Sequence, residues 1–219
     1  MPLPARLRRL TPVALRDDPR LRAVAVGTGL IPPRTMHSEA ESRLLQELGR
    51  DARLVVEIGV YEGSSAVALA RAMGPAQELH LVDPFGHHPT ALPSGWGATE
   101  RASRRVVARA ARDGGPRVVW HVALSQDVAP TWAAHVDLLF IDGDHSAEGV
   151  RRDWDDWHGF VAPGGHVLFH DARLGRPDGR GLEGPTGVVD ALLRGPDGPP
   201  PGWAIAAEVD RTVAVRFDG

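Results

Sequence analysis

The chain has 219 residues, 42% hydrophobic and 24% charged, which is enough apolar chain for one ordinary globular core and argues against disorder or a fibrous assembly. It contains no Cys, no Lys and no Asn, so its 25 basic residues are all Arg; thiolate catalysis, disulfides, Cys-ligated zinc, iron–sulfur clusters, Schiff-base lysines, N-glycosylation sites and a P-loop are therefore excluded. A net charge of −3 gives no electrostatic reason to expect nucleic acid or an anionic membrane, and no window approaches the roughly 20 apolar residues of a membrane span, so a cytoplasmic protein is expected.

Residues 1–37 carry six Arg within the first 22 positions together with Pro2, Pro4, Pro12, Pro19, Pro32 and Pro33, a mixture that predicts one or two short helices joined by loops. This segment is read as an N-terminal cap, either a lid or subunit contact or a loosely docked tail. Residues 38–219 form the main domain. Ser38-Glu-Ala-Glu41 has capping-box spacing ahead of Leu44, Leu45 and Leu48, so a helix starts there. Leu54 to Gly59 is an apolar run ending at glycine, the pattern of a buried parallel strand. Ser64 to Met73 is helical and stops at Gly74-Pro75. Glu78 to Asp83 is a second strand, followed by a His/Pro/Gly loop, a helix over 98–112 and a strand over 117–122. Asp137 to Asp142 is the next strand, and a helix runs from Ala147 to about Phe160. After Gly164-Gly165 comes a strand ending at His170-Asp171. Residues 173–185 form a Gly/Pro/Arg-rich loop, a short helix lies near 188–193, and two last strands cover 203–209 and 211–217.

Strands alternating with helices predict an α/β fold, a Rossmann-like doubly wound and mostly parallel sheet of seven strands. The closing pair has no helix between its strands and predicts an antiparallel edge strand. Ligands in such sheets bind beyond the carboxyl ends of the strands. Glu57, Asp83, Asp142, His170 and Asp171 all fall at those ends.

The turn Val56-Glu-Ile-Gly-Val-Tyr-Glu-Gly-Ser-Ser65 opens a helix after the first strand. Gly59 and Gly63 allow close backbone approach to a ligand, and the first N–H groups of the helix favour electronegative atoms. The spacing is E-x-G-x-x-x-G, not the G-x-G-x-x-G of dinucleotide binders, and it places an acid before the first glycine. An acid there suits a ligand with a cationic group. Asp83, at the end of strand two, stands where nucleotide binders hold ribose hydroxyls, the simpler reading being an N-cap before Pro84. The pair fits S-adenosylmethionine better than NAD.

Taken in order, VEIGVYEGSSAVALAR, HLVDPFG, VALSQDVAP, DLLFIDGDHS and APGGHVLFHD resemble the class I S-adenosylmethionine-dependent methyltransferases. The resemblance is closest to the cation-dependent small-molecule O-methyltransferases of the catechol and macrolide-sugar or cephalosporin-pathway types, and it runs from about Ser38 to Asp171. It implies that Glu57 and Tyr61 hold the methionine end of the cofactor, that Ser65, with Gly63 and Ser64 at the same helix N-terminus, holds its carboxylate, and that Asp83 takes the ribose. It also implies that Ser125 and Gln126 border the adenine, and that Asp142 closes the methionine side while binding a divalent cation, Mg²⁺ or Mn²⁺. Asp171 matches the second metal-ligand position. The third would be Ala172, which cannot serve, or His170, whose nitrogen would favour Mn²⁺, Fe²⁺ or a weaker Mg²⁺ site.

The catechol type carries a Lys base three residues after the first metal Asp; here His145 stands in that place, as in the sugar-modifying relatives. The resemblance thus implies methyl transfer to a hydroxyl of a small sugar or secondary metabolite with His145 as base, in a homo-oligomer without nucleic-acid or membrane partners. Metal-independent O- or N-methylation and an inactive nucleotide-binding module are the other readings. His87 and His88 are read as loop surface, His80, His121 and His166 as strand residues hydrogen-bonded locally, and His135 and His158 as helix-end or surface residues. Trp154 and Trp157 are read as core, and Asp153, Asp155 and Asp156 as a solvated face.

Overall fold

The computed structural model describes residues 18–86, 97–112 and 114–219. Helix α1 (Pro19–Thr28) precedes α2 (Glu39–Asp51), β1 (Leu54–Ile58), α3 (Ser64–Ala72), β2 (Glu78–Val82), α4 (Gly97–Ala110) and β3 (Arg117–His121). The short α5 (Ser125–Val128), β4 (Val136–Ile141), α6 (Ala147–Trp157), β5 (Val161–Phe169), α7 (Glu183–Leu193), β6 (Trp203–Val209) and β7 (Thr212–Phe217) complete the chain. The strand order is β3-β2-β1-β4-β5-β7-β6. Strands β1 to β5 pair in parallel, and β7 pairs antiparallel with both β5 and β6.

The doubly wound, mostly parallel sheet is as expected, and so is antiparallel pairing at its end. The order there is finer than the sequence order: β7 returns between β5 and β6, leaving β6 at the edge. Alternating residues of β1 serve two cores. Val55 packs with α1, α2, α3 and α4 on one face, and Val56 and Ile58 pack with α6 and α7 on the other. This follows from the two-residue side-chain period of a strand buried on both faces. The chain reverses its direction of travel across the sheet between β1 and β4, so the crevice beyond their carboxyl ends is where such a fold takes its ligand.

Local signals account for most element ends. Ser38 Oγ accepts the Glu41 N–H at 3.1 Å while Glu41 Oε2 accepts the Ser38 N–H at 2.7 Å, the reciprocal box that starts α2. Three elements depart from expectation. Helix α5 is a single turn that the apolar pattern does not signal. Strand β5 begins five residues early, at Val161, through a register shift opposite Val136–Leu138 that accommodates its glycines. Helix α7 starts at Glu183, inside the expected loop; Pro185 is tolerated because first-turn N–H groups have no helical partner.

Asp153 is a correction. Asp155 is exposed and pairs with Arg151 at 2.8 Å, but Asp153 is only 4% exposed. It lies three residues after Val150 and four before Trp157, on the buried stripe of α6. Trp154 and Trp157 are core residues, as expected.

Candidate active site

Three backbone conformations shape the turn after β1. Gly59 has φ +89°, and a Cβ there would stand 2.2 Å from the Asp142 carbonyl oxygen, so only glycine lets the β1 and β4 turns approach. Tyr61 adopts φ +51° and Gly63 φ +82° at the start of α3. The Asp83 carboxylate braces this turn: Oδ2 accepts the N–H groups of Val60 (2.7 Å) and Tyr61 (2.9 Å), and Oδ1 accepts that of Phe85 (2.7 Å). A carboxylate offers about four acceptor sites, so among the described residues one acceptor direction of Asp83 is left. Ser103 Oγ donates to the Tyr61 carbonyl. On the outer side Glu62 receives Arg22 of α1 bidentately, Nε at 2.5 Å and Nη2 at 2.7 Å, and the Arg34 N–H at 2.6 Å.

Glu57 is fully buried at the end of β1. Ser65 Oγ donates to its Oε1, while Oε2 has no hydrogen-bond partner among the described residues. Burial pushes this carboxyl well above the usual range, and Asp142 and Asp83 push in the same direction against the Ser65 hydrogen bond. A buried acid with an orphaned oxygen beside a glycine turn is short of one cationic or N–H donor. The ammonium of a methionine-type ligand supplies that chemistry, so the residues present fit S-adenosylmethionine.

Ser125 and Gln126 open α5 past the end of β3, but their side chains turn onto α6: Ser125 Oγ donates to Asp153 Oδ1, and Gln126 Oε1 accepts Arg152 Nη1 at 2.8 Å. Burial pushes the Asp153 carboxyl from 3.8 to about 6, against the Ser125 hydrogen bond. Folding therefore favours its protonated form: the advantage is complete below the unfolded value of 3.8 and is lost as pH rises through about 6. Asp153→Asn keeps an acceptor for Ser125. Its thermal stability is expected to exceed that of the parent by a margin that opens between pH 4 and 6 and levels at roughly 3 kcal/mol. Melting curves across this range check it; a margin independent of pH would remove the burial account.

A second cluster closes the crevice at the ends of β4 and β5. Asp142 Oδ1 lies 3.2 Å from His145 Nε2 and 2.8 Å from His170 Nδ1. His170 Nδ1 also lies 3.6 Å from Asp171 Oδ2, and Arg211 Nη1 donates to Asp171 Oδ1 at 3.1 Å. For Asp142, burial works to raise the pKa but the two histidines hold it below the usual value. The Asp142 hydrogen bond, opposed by burial, raises that of His145. His170 is 2% exposed; burial works against its charge, yet Asp142, Asp171 and Glu41 together hold its pKa up. Among the described residues neither ring nitrogen of His170 has a hydrogen-bond partner, although Nδ1 lies close to Asp142 Oδ1.

One nitrogen and two carboxylates converge here, their ligand atoms all within 4.8 Å of one another. Adjacent corners of an octahedron with bonds of about 2.1 Å are roughly 3.0 Å apart. The donor set and the orphaned Nδ1 therefore fit a divalent cation.

Glu57, Gly59, Tyr61, Gly63, Ser64, Ser65 and Asp83 are thus gathered around one turn, and Asp142, His145, His170 and Asp171 around its neighbour. Ala172 is fully buried in the core, and the nitrogen that faces the two carboxylates belongs to His170. His80 and His121 pair with each other at 3.0 Å, and His80 with Glu78 at 3.1 Å, local strand contacts as expected. His87, His88 and residues 1–17 lie outside the described residues. Sequence reasoning missed Arg22, Glu62, Arg211 and His37, which is half-buried ahead of α2 and held below its ordinary pKa by burial and by His170. Nothing in local sequence marks these four; Glu41 was visible only as a cap.

The fold and the two turns define a Rossmann-like α/β protein with a cofactor crevice beyond β1 and β4. A family model described as a methyltransferase domain matches residues 56–172, from β1 through the Asp171 turn. The chain belongs to this methyltransferase-domain family. Among solved structures it is similar to the O-methyltransferase TomG of Streptomyces achromogenes, involved in tomaymycin synthesis and determined in complex with SAM. That match has 21% identity over 93% of this chain and 91% of that one, with a TM-score of 0.62. It is also similar to cofactor-bound Rv0187 from MTB, at 22% identity over 100% and 99% of the two chains, with a TM-score of 0.63. Uncharacterized protein R132 of Acanthamoeba polyphaga mimivirus is 24% identical over 139 residues; the match takes in 62% of this chain and 59% of that protein's length. No helix among the described residues is long and apolar enough to cross a membrane.

Proposed function

We propose that the chain is an S-adenosylmethionine-dependent O-methyltransferase acting on a hydroxyl of a small molecule, a sugar or secondary metabolite, with His145 as base and a divalent cation held by Asp142, His170 and Asp171. The observation that carries this reading is the side-by-side placement of the buried, half-satisfied Glu57 turn and the His145–Asp142 pair. One accepts a cationic ligand and the other moves a proton. TomG, an O-methyltransferase bound to SAM, supports the same class.

S-adenosylmethionine, when bound, supplies an activated methyl group, and a cation would lower the pKa of an acceptor hydroxyl. Glu57 would hold the ammonium through Oε2. Ser64 and Ser65, at the N-terminus of α3, would hold the carboxylate, and Asp83 would hold a ribose hydroxyl with its remaining lone pair. Tyr61 would border the methionine end, with Ser125 and Gln126 beside the adenine through their backbone. Asp142 holds His145 by Nε2, which leaves Nδ1 to take the acceptor proton. The exposed apolar residues Leu21 and Val24 on α1 support a homo-oligomer.

The test is calorimetric titration with SAH, followed by methylation of hydroxylated acceptors with and without EDTA. Saturable SAH binding and a metal-restored loss of turnover are expected. Absence of SAH binding would overturn the reading. A second reading, metal-independent transfer, is favoured by one contact: Arg211 already places a positive charge on Asp171. Turnover undiminished by EDTA would select it.

A further inference from the structure

Glu41 has no place in the cofactor turn, yet it is 4% exposed and lies against the candidate cation site. Its Oε1 accepts the Arg211 N–H at 2.8 Å and Thr212 Oγ1 at 2.9 Å, and its Oε2 accepts the Ser38 N–H at 2.7 Å. Two elements therefore clamp it, the start of α2 and the β6–β7 turn. Held this way, Oε1 stands 3.8 Å from His170 Nε2, while Nδ1 of the same ring faces Asp142 and Asp171. One imidazole is set between carboxylates on opposite sides.

We propose that Glu41 is a positioning residue for His170, holding the proton of the neutral ring on Nε2 so that Nδ1 is a nitrogen donor and the site takes Mn²⁺ or Co²⁺ in preference to Mg²⁺. This rests on the cation reading above. A neutral imidazole carries one N–H and one lone pair. With the proton on Nδ1, the lone pair of Nε2 would point at the fixed charge of Glu41 in a buried setting, where repulsion is strong. With the proton on Nε2, the N–H lies on the Glu41 side of the ring, Nε2 being 3.8 Å from Oε1, and the Nδ1 lone pair is left on the side of Asp142 Oδ1 and Asp171 Oδ2. A lone pair and two carboxylate oxygens are mutually repulsive unless a proton or a metal ion lies among them, and when a metal ion takes that place the ring's one proton is left to Nε2. Asp171 is already divided for this role, Oδ1 toward Arg211 and Oδ2 toward the ring. Carboxylates behind a ligating histidine commonly set its tautomer and basicity, and a nitrogen donor shifts preference from Mg²⁺ toward softer ions.

The test is calorimetric titration of the SAH-bound protein with MnCl₂, CoCl₂ and MgCl₂, together with the visible spectrum of the Co²⁺ form, in the parent, Glu41→Gln and His170→Asp. The parent is expected to bind Mn²⁺ and Co²⁺ more tightly than Mg²⁺. Glu41→Gln should weaken Mn²⁺ binding about 10- to 100-fold and shift the Co²⁺ bands. His170→Asp, which offers oxygen and does not depend on Glu41 being replaceable, should narrow or reverse the preference over Mg²⁺. A parent that binds Mn²⁺ with an Mn²⁺ to Mg²⁺ preference unchanged in His170→Asp, or in a folded Glu41→Gln, would overturn this inference alone. A parent that binds SAH but no divalent ion would overturn it together with the cation reading, leaving the cofactor assignment in place.

Discussion

Replacing His145 with Ala is expected to slow methyl transfer by about 10²- to 10⁴-fold, the usual effect of removing a positioned general base, while SAH affinity stays within about twofold of the parent (equal binding within roughly 0.4 kcal/mol). The physical reason lies in two contacts. Asp142 holds His145 through Nε2 at 3.2 Å, and Asp142 itself is fixed by its place at the end of β4, one residue before the tight Gly143 turn. His145 remains 37% exposed at its side chain, so Nδ1 can reach an acceptor in the crevice. Glu57 and Ser65, which we propose hold the cofactor, bond to each other while His145 bonds to Asp142, so cofactor binding should not follow the loss of His145. The deficit is expected to shrink as pH is raised, because hydroxide replaces the missing base. Single-turnover rates with whichever hydroxylated acceptor the parent methylates best, measured from pH 6 to 9, check this. An unchanged rate at pH 7 would remove His145 from the mechanism and leave the cofactor assignment standing.

Arg22→Ala should have the largest effect on stability, a loss of about 3–5 kcal/mol, which is what breaking one side of a buried ion pair costs when the other charge stays behind. The Arg22 and Glu62 side chains are 12% and 5% exposed, so Glu62 stays largely buried, with the Arg34 N–H as a remaining donor, when Arg22 is cut back. For a chain of this length that is a fall in melting temperature of roughly 10 °C. Glu62 lies between Tyr61 and Gly63, so the loosened turn should also bind SAH less tightly, by about tenfold (on the order of 1.4 kcal/mol). The double replacement Arg22→Met with Glu62→Leu removes both charges and should recover most of the stability. Thermal unfolding of the parent, Arg22→Ala and the double replacement checks both expectations. If Arg22→Ala melts within 2 °C of the parent, on the order of 1 kcal/mol, α1 is not latched to the cofactor turn.

Both predictions depend on contacts of different legibility. The strands were readable as short apolar runs bounded by turn residues, and the glycine turn was readable from its E-x-G-x-x-x-G spacing; Gly59 sits where a Cβ would meet the Asp142 carbonyl, and Gly63 adopts a left-handed φ. His145 was visible because it follows an acid that ends a strand. Asp153 is an acid by type, but its spacing from Val150 and Trp157 places it on the buried stripe of α6, where helical period outweighs residue type. Helix α5 was missed because one turn carries no periodicity. Arg22 and Glu62 are 40 residues apart, and Arg211 and Asp171 are likewise 40 apart, so no window of sequence contains either pair.

What the sequence by itself determined is the alternating strand and helix order, the acids at the strand ends and the chemistries closed off by the absence of Cys, Lys and Asn. These are local facts, carried by periodicity, turn chemistry and residue type. Only the tertiary structure decided which oxygen of Glu57 is left without a partner, that β7 returns inside β6, and that Arg211 and Glu41 stand beside Asp171 and His170. The reason is that charge and hydrogen-bond satisfaction depend on distances between segments far apart in the chain, which are set only when the β6–β7 turn meets α2 and when α1 meets the turn after β1.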